Sequence, residues 1–324
     1  MHGKETCDGK GKGTDNSSQF CHLNDSPFGK DRNRSLTTTK ERSPLVLYDA
    51  DKVIWTTVVR LTFLLYHERN RSDTRKSFRI IERTSMDIKG KRALVTGGTK
   101  GIGRAIVEAL LAEQAKVLIT ARNTRDIEKV VAALEKEHKG RILGKACDVG
   151  KLEEVETLFS FCVEQWQGID ILINNAGIGI FKNVEDLSPE EWRSTISTNL
   201  DSLYYCCHMA LPHMKRAGGG FIINIASLAG KNAFAGGAAY NASKFGAVGF
   251  SEALMQEVRH DDIQVAYIMP GSVDTDFGTG RGSAEASWKL APADVAEVVI
   301  QTLKRHPRCL TSRIEMRPSK PPKK

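Results

Sequence analysis

From Arg92 onward the chain alternates between short apolar runs and longer amphipathic stretches, and this alternation limits the available folds more than any other feature. The runs Arg92–Thr96, Lys116–Thr120, Ile142–Ala146, Ile169–Asn174, Phe221–Ala226 and Ile263–Met269 are largely apolar at consecutive positions, as in parallel strands buried on both faces. Between them, apolar residues recur at helical spacing near 102–113, 124–138, 151–166, 188–216 and 238–260. A further helix fits 292–305, and Cys309–Met316 reads as an edge strand. Such an alternation predicts one α/β domain, a doubly wound parallel sheet with helices on both faces. About 230 residues is ample for a single core.

The first eighty-five residues have a different character. Positions 1–44 are rich in Gly, Lys, Ser, Thr, Asn and Asp, a composition that cannot bury enough surface to offset the entropy of ordering. Val53–Tyr66 is the one sustained apolar run here; it is shorter than the about 20 residues a bilayer demands, and Arg60 interrupts it. No apolar core follows a basic start, so no secretory signal is expected. The expected division is a disordered N-terminal extension (1–85), which is either a leader or an upstream translation artefact, a domain at 86–316, and a basic tail at 317–324.

The net charge of +8 resides in the two ends, while the body between them is slightly acidic. Solvated tails are the expected reading, with no nucleic-acid or membrane partner. The seven cysteines are scattered without a CxxC pair, which indicates neither a zinc site nor a disulfide framework and fits a reducing, cytoplasmic compartment. The eight histidines show no ligand spacing, and no metal is expected.

Two stretches carry chemistry. The first apolar run leads directly into Thr96-Gly97-Gly98-Thr99-Lys100-Gly101-Ile102-Gly103-Arg104. A strand, a glycine-rich turn and a helix N-terminus form a cradle for a pyrophosphate, because glycine admits close backbone approach and the free N–H groups favour negative charge. The second stretch is Tyr240-Asn241-Ala242-Ser243-Lys244, at the start of a helical pattern. Residues four apart share a helix face, so the phenol and the ammonium are expected to point into one space. An unperturbed phenol has a pKa of about 10, and a nearby cation is expected to lower it into a useful range for proton transfer to a carbonyl.

Thr96–Gly103, Asn174-Asn175-Ala176-Gly177 after the fourth strand, Tyr240-x-x-x-Lys244, and Pro270-Gly271 leading to Thr275 occur together in one order and spacing. In this the chain resembles the short-chain dehydrogenase/reductase family over about 86–316. The resemblance implies a Rossmann-type sheet of seven strands and a site of Asn199, Ser227, Tyr240 and Lys244. Tyr240 would exchange the proton with the carbonyl oxygen and Ser227 would bond the same oxygen. Lys244 would tune Tyr240 and bind the nicotinamide ribose, and Asn199 would hold a relay water. It also implies that Gly97, Thr99, Lys100, Gly101, Ile102, Gly103, Asp148, Val149, Asn175, Ala176, Gly177, Pro270, Gly271, Val273 and Thr275 line the cofactor, together with Tyr240 and Lys244. Asp148 resembles the residue that bonds the adenine amino group, and Thr275 the one that holds the carboxamide.

Family members that prefer NAD carry an acidic residue after the second strand. Here that place holds Ala121 and Arg122, and Lys100 sits in the glycine turn, so NADP(H) is expected in preference to NAD(H). The expected activity is reduction of a small-molecule carbonyl compound to an alcohol. Alternatives are an alcohol or sugar dehydrogenase, a 3-oxoacyl-carrier-protein reductase, or a non-catalytic dinucleotide sensor or nucleic-acid binder. The C-terminus departs from the glycine-ending tail of the carrier-protein reductases. A loop at Asp276–Leu290 is expected near the substrate, with Ile178, Phe234, Phe277 and Trp288 as candidate pocket residues. Cys206-Cys207 reads as packing. A homodimer or homotetramer is expected from the family's use of helices near 199–216 and 238–260.

Overall fold

Seven parallel strands form one sheet in the order β3-β2-β1-β4-β5-β6-β7. They are β1 (Arg92–Thr96), β2 (Lys116–Ala121), β3 (Ile142–Ala146), β4 (Ile171–Asn174), β5 (Gly220–Ile225), β6 (Ile263–Pro270) and β7 (Arg313–Met316). The computed structural model describes residues 87–277 and 286–322. The expected extension 1–85, its apolar run Val53–Tyr66, and the middle of the Asp276–Leu290 segment lie outside the described residues. Among the described residues no helix is long and apolar enough to cross a membrane.

The consecutive apolar residues of each strand are divided between two cores. Leu94, Leu118, Leu172, Ile222 and Val265 stand in register across the sheet. They are buried against α3 (Leu152–Trp166), α5 (Ser202–Arg216) and α6 (Ala238–Val258). Val95, Ile119, Ile173 and Ile223 form the row on the other face, against α1 (Gly101–Ala112), α2 (Thr124–Glu135) and α7 (Pro292–Leu303). A one-residue slip would carry each row into the wrong layer, so two different helix layers fix the register.

Element ends shift little from expectation. β4 begins at Ile171 rather than Ile169, and the edge strand begins at Arg313 because Cys309 is bonded into a turn with His306. The larger difference is in the helix expected at 188–216. It is divided into α4 (Pro189–Ile196), a π-helical turn over Ser197–Asp201, and α5. At the exit of that turn the Ser202 N–H reaches back five residues to the Ser197 carbonyl. One extra residue in a turn leaves the apolar period on both sides intact, so the pattern does not reveal it.

Strand order reverses between β1 and β4, which opens a crevice at the C-terminal ends of the strands. The turns after β1 (Gly97), β2 (Arg122), β3 (Asp148), β4 (Asn175), β5 (Ser227) and β6 (Gly271) all arrive at that one end.

Candidate active site

The first two turns of α6 deliver Tyr240 and Lys244, and both are buried, at 9% and 5% exposure. The Lys244 ammonium donates to the Ile225 carbonyl at the end of β5 (3.0 Å) and lies 5.8 Å from the centre of the Tyr240 ring. Burial pushes the Lys244 pKa down to about 8. Burial also raises the Tyr240 pKa, while the Ser227 hydroxyl beside it pulls the other way. Lys244 does not reverse that direction here. Its charge is directed at a backbone carbonyl, and the phenol is flanked by the rings of Phe181 (5.4 Å, edge-on) and Phe277 (5.7 Å), where desolvation dominates.

Ser227 follows β5 in extended conformation, and its Oγ accepts from the Ala229 N–H (3.1 Å), capping the short turn Leu228–Gly230. That turn packs closely on α6, since a Cβ on Gly230 would lie 2.6 Å from the Lys244 carbonyl oxygen. The hydroxyl is thereby anchored next to Tyr240.

Asn199 sits in the π-helical turn and is completely buried. Its Oδ1 accepts from the Ile178 N–H (2.8 Å), and its Nδ2 donates to the Ile178 carbonyl (2.9 Å) and to Ser243 Oγ (3.1 Å). Ser243 in turn donates to the Tyr240 carbonyl. The side chain thus ties the loop after β4 to α6, and it is the extra residue in the helix that aims it inward.

The glycine turn is clasped by the segment after β4. Thr96 Oγ1 accepts from the N–H groups of Asn175 and Ala176 (both 3.0 Å), and Asn175 Nδ2 donates to the carbonyls of Thr96 (2.9 Å) and Gly97 (3.2 Å). Gly97 has φ +66°, and a Cβ on Gly103 would lie 2.2 Å from the Gly97 oxygen, so both positions require glycine. Lys100, the N-cap of α1, makes no side-chain capping bond, and no acidic residue occupies the first turn. The helix start therefore keeps its N–H groups and positive dipole end for an anion. Gly101 approaches Thr275, whose Cγ2 would be 3.2 Å from a Cβ there, and Gly177 approaches Asn199 and Lys244 in the same way. These contacts join the turns after β1, β4 and β6 into one rim leading from Lys100 to Lys244.

Beyond this rim, Lys100 and Arg122 are exposed and have no carboxylate partner among the described residues. Arg122, Asn123, Thr124 and Arg125 line an open depression after β2, where Asn123 Oδ1 caps α2 by accepting from Arg125 N–H (2.9 Å). Asp148 Oδ1 accepts from Gly150 N–H (3.1 Å), and the adjacent Val149 is buried in the core. Glycines where a side chain would clash and an uncapped helix start fit the pyrophosphate of a dinucleotide. Gly271 departs from the rest: its N–H is committed to the Met316 carbonyl (2.8 Å), and its Cα faces Leu228 and Pro318. Val273 packs on the core around α1 and α7.

Sequence reasoning missed Ser243, Asn241 and Phe181. Asn241 Nδ2 donates to the Ala229 carbonyl (2.7 Å) and its Oδ1 accepts from Phe234 N–H (3.3 Å), so it holds the loop in front of α6. Its place beside Tyr240 was the available signal. Phe181 lies in a loop and had none. Of the expected pocket residues, Phe277 and Phe234 join the ring cluster, Ile178 serves through its backbone, and Trp288 has no ring partner among the described residues. Cys206 and Cys207 are buried in the core, and desolvation pushes the Cys207 thiol up to about 12, as packing requires.

The chain is similar to known proteins. The chain is 40% identical to the 3-oxoacyl-(acyl-carrier-protein) reductase FabG of Haemophilus influenzae, over 59% of this chain and 77% of that one. It is 37% identical to a 3beta-hydroxysteroid dehydrogenase of Mediterraneibacter gnavus, over 62% and 72%. A metagenomic short-chain oxidoreductase solved in complex with NADP superposes with a TM-score of 0.64 at 31% identity, covering 72% of this chain and all of that one. The model of the family described as short chain dehydrogenase matches residues 91–286. With fold, glycine cradle and family match in agreement, the chain belongs to the short-chain dehydrogenase family and is an oxidoreductase acting on hydroxyl or carbonyl groups.

Proposed function

We propose that the chain is an NADPH-dependent carbonyl reductase whose reacting groups are Tyr240, Ser227, Lys244 and Asn199. One observation carries this reading: a single helix brings a buried phenol and a buried amine to the rim of the glycine cradle, beside a serine hydroxyl. The dinucleotide, when bound, supplies hydride to the carbonyl carbon.

The chain's own residues do the rest. The start of α1, with Gly97, Thr99, Gly101, Ile102 and Gly103, binds the pyrophosphate. Lys100 and Arg122 take the 2′-phosphate, which favours NADPH because a phosphate offers them full negative charge where a ribose hydroxyl does not. Asp148 and Val149 border the adenine, while Asn175, Ala176, Gly177, Pro270 and Thr275 border the ribose and nicotinamide end, with Gly271 and Val273 shaping the turn behind them. Tyr240 keeps its proton until the carbonyl oxygen gains charge, consistent with its raised pKa, and then donates it. Ser227 donates a hydrogen bond to the same oxygen. Lys244 stabilises the resulting phenolate and binds the nicotinamide ribose. Asn199 positions the Ile178 loop and α6 and orders the water that resupplies the proton.

The test is NADPH consumption by the purified full chain across a panel of ketones. A chain that binds NADPH yet reduces no carbonyl compound refutes the reading. Exposed Tyr204 on α5 and Phe245 on α6 support assembly into a homodimer or homotetramer through those helices, checked by light scattering. A cytoplasmic location goes with this reading and is checked by fractionation.

A further inference from the structure

Around the buried Tyr240 phenol stand three phenylalanine rings that remain 42–47% exposed: Phe277, Phe181 and Phe234. Phe181 and Phe277 each pack on the Tyr240 ring, and Phe234 continues the wall 5.9 Å from Phe181. Single exposed aromatics are ordinary, but a contiguous patch of them at a reacting group is a binding surface.

The wall is built into the backbone. A Cβ on Gly179 would lie 2.7 Å from Phe277 Cε1 and 2.9 Å from Phe181 Cζ, and one on Gly237 would lie 2.5 Å from Phe234 Cε2. Only the missing side chains allow the rings to sit where they do. An isolated parallel bridge between Lys182 and Gly237 joins the Phe181 loop to the Phe234 loop, and Asn241 holds the Phe234 N–H.

Charge points the same way. Lys182, next to Phe181, is paired with Glu191 (2.6 Å), and Lys231, in the Phe234 loop, is paired with Glu315 (2.8 Å). Neither cation is spare for a carboxylate or a phosphate on the substrate. Among the described residues, Tyr240 and Ser227 offer polar contacts for one oxygen, and the rings offer apolar faces beside it.

We propose that the substrate is an uncharged, planar ring ketone, aryl or polycyclic, whose carbonyl meets Tyr240 while its ring stacks on Phe181 and Phe277. This rests on the carbonyl-reductase reading above and adds the substrate class. The carbonyl becomes a secondary alcohol, taking hydride from NADPH as co-reactant and its proton from Tyr240, with NADP+ as the other product.

The test compares kcat/KM of the full chain with NADPH for α-tetralone, butanone, acetoacetate and an N-acetylcysteamine 3-oxoacyl thioester. α-Tetralone is expected to exceed acetoacetate by about 100-fold, given about tenfold for each ring contact. Phe181→Leu and Phe277→Leu are each expected to lower the α-tetralone to butanone ratio about tenfold. Ligand-observed NMR should show saturation transfer to α-tetralone that weakens in both variants. Preference for acetoacetate or the thioester, or an unchanged ratio in the variants, overturns the proposal while leaving a reductase. Ring-dependent binding of α-tetralone with no reduction of any carbonyl upholds the pocket and overturns the reductase reading instead.

Discussion

At the N-terminal ends of β1 and β4, Arg92 and Asp170 meet in a two-pronged ion pair, Nε to Oδ2 and Nη2 to Oδ1 at 2.8 Å each, with the Arg92 N–H on the same carboxylate. Burial works against the Asp170 charge, yet the hydrogen bonds from Arg92 outweigh it and hold the pKa below the usual carboxylate range. Gly168 leaves the space that the guanidinium fills, since a Cβ there would lie 2.8 Å from Nη1. At the opposite, C-terminal ends of the strands, Lys244 is more deeply buried and has a backbone carbonyl in place of a carboxylate. The start of α1 is left uncapped at that end, and three aromatic rings are exposed there. The same sheet thus has one end where opposite charges satisfy each other and one where Lys244 and the start of α1 have no carboxylate partner among the described residues. Groups at the second end give up stabilisation and keep their bonding capacity for ligands.

This contrast can be broken most sharply at Tyr240. Tyr240→Phe should lower kcat by about 1,000-fold as the proton donor is lost, with the urea midpoint unchanged. A variant with near-native turnover would mean that the C-terminal end is merely a packed surface. Asp170→Ala should do the opposite. Stranding a half-buried guanidinium is expected to cost about 2 kcal/mol of stability by urea titration, between the exposed and fully buried cases, with kcat of the folded enzyme retained.

Arg122→Asp sharpens the description of the ligand end. It should raise KM for NADPH about tenfold by removing a charge-assisted contact and adding a repulsion, with far less effect on NADH. Equal effects on the two would remove Arg122 from the phosphate site. The smallest effect comes from Lys244. Its folded pKa of about 8 lies below its ordinary 10.5, so folding without ligand opposes its charge. The penalty is full well below pH 8 and fades as pH rises through 8 towards 10.5, with a gain of roughly 0.4 kcal/mol between pH 7 and 8. Lys244→Met should remove that slope, measured as the difference in urea midpoint between the two proteins across this range.

The chemistry-bearing residues were legible because each is tied to a local pattern. Thr96–Gly103 follows an apolar strand and opens a helix, and Tyr240 and Lys244 lie one turn apart on another. Asn199 and Ser227 were legible through family resemblance alone, for an asparagine in a helix and a serine after a strand look the same in any role. The π-helical turn was hidden because an inserted residue does not disturb the apolar period around it. Phe181 was hidden because nothing nearby in sequence marks it; a bridge between Lys182 and Gly237 brings it to Tyr240.

By itself the sequence determined the alternation of strands and helices, the glycine cradle, and the pairing of phenol and amine on one helix face. All of these follow from backbone periodicity and from contacts between residues a few positions apart. Only the tertiary structure decided the direction of the Tyr240 pKa, the commitment of Asn199 to Ile178 and Ser243, and the ring wall beside the phenol. Burial, hydrogen-bond direction and ring packing depend on what distant segments place next to a group, and residue spacing along a chain carries no such record.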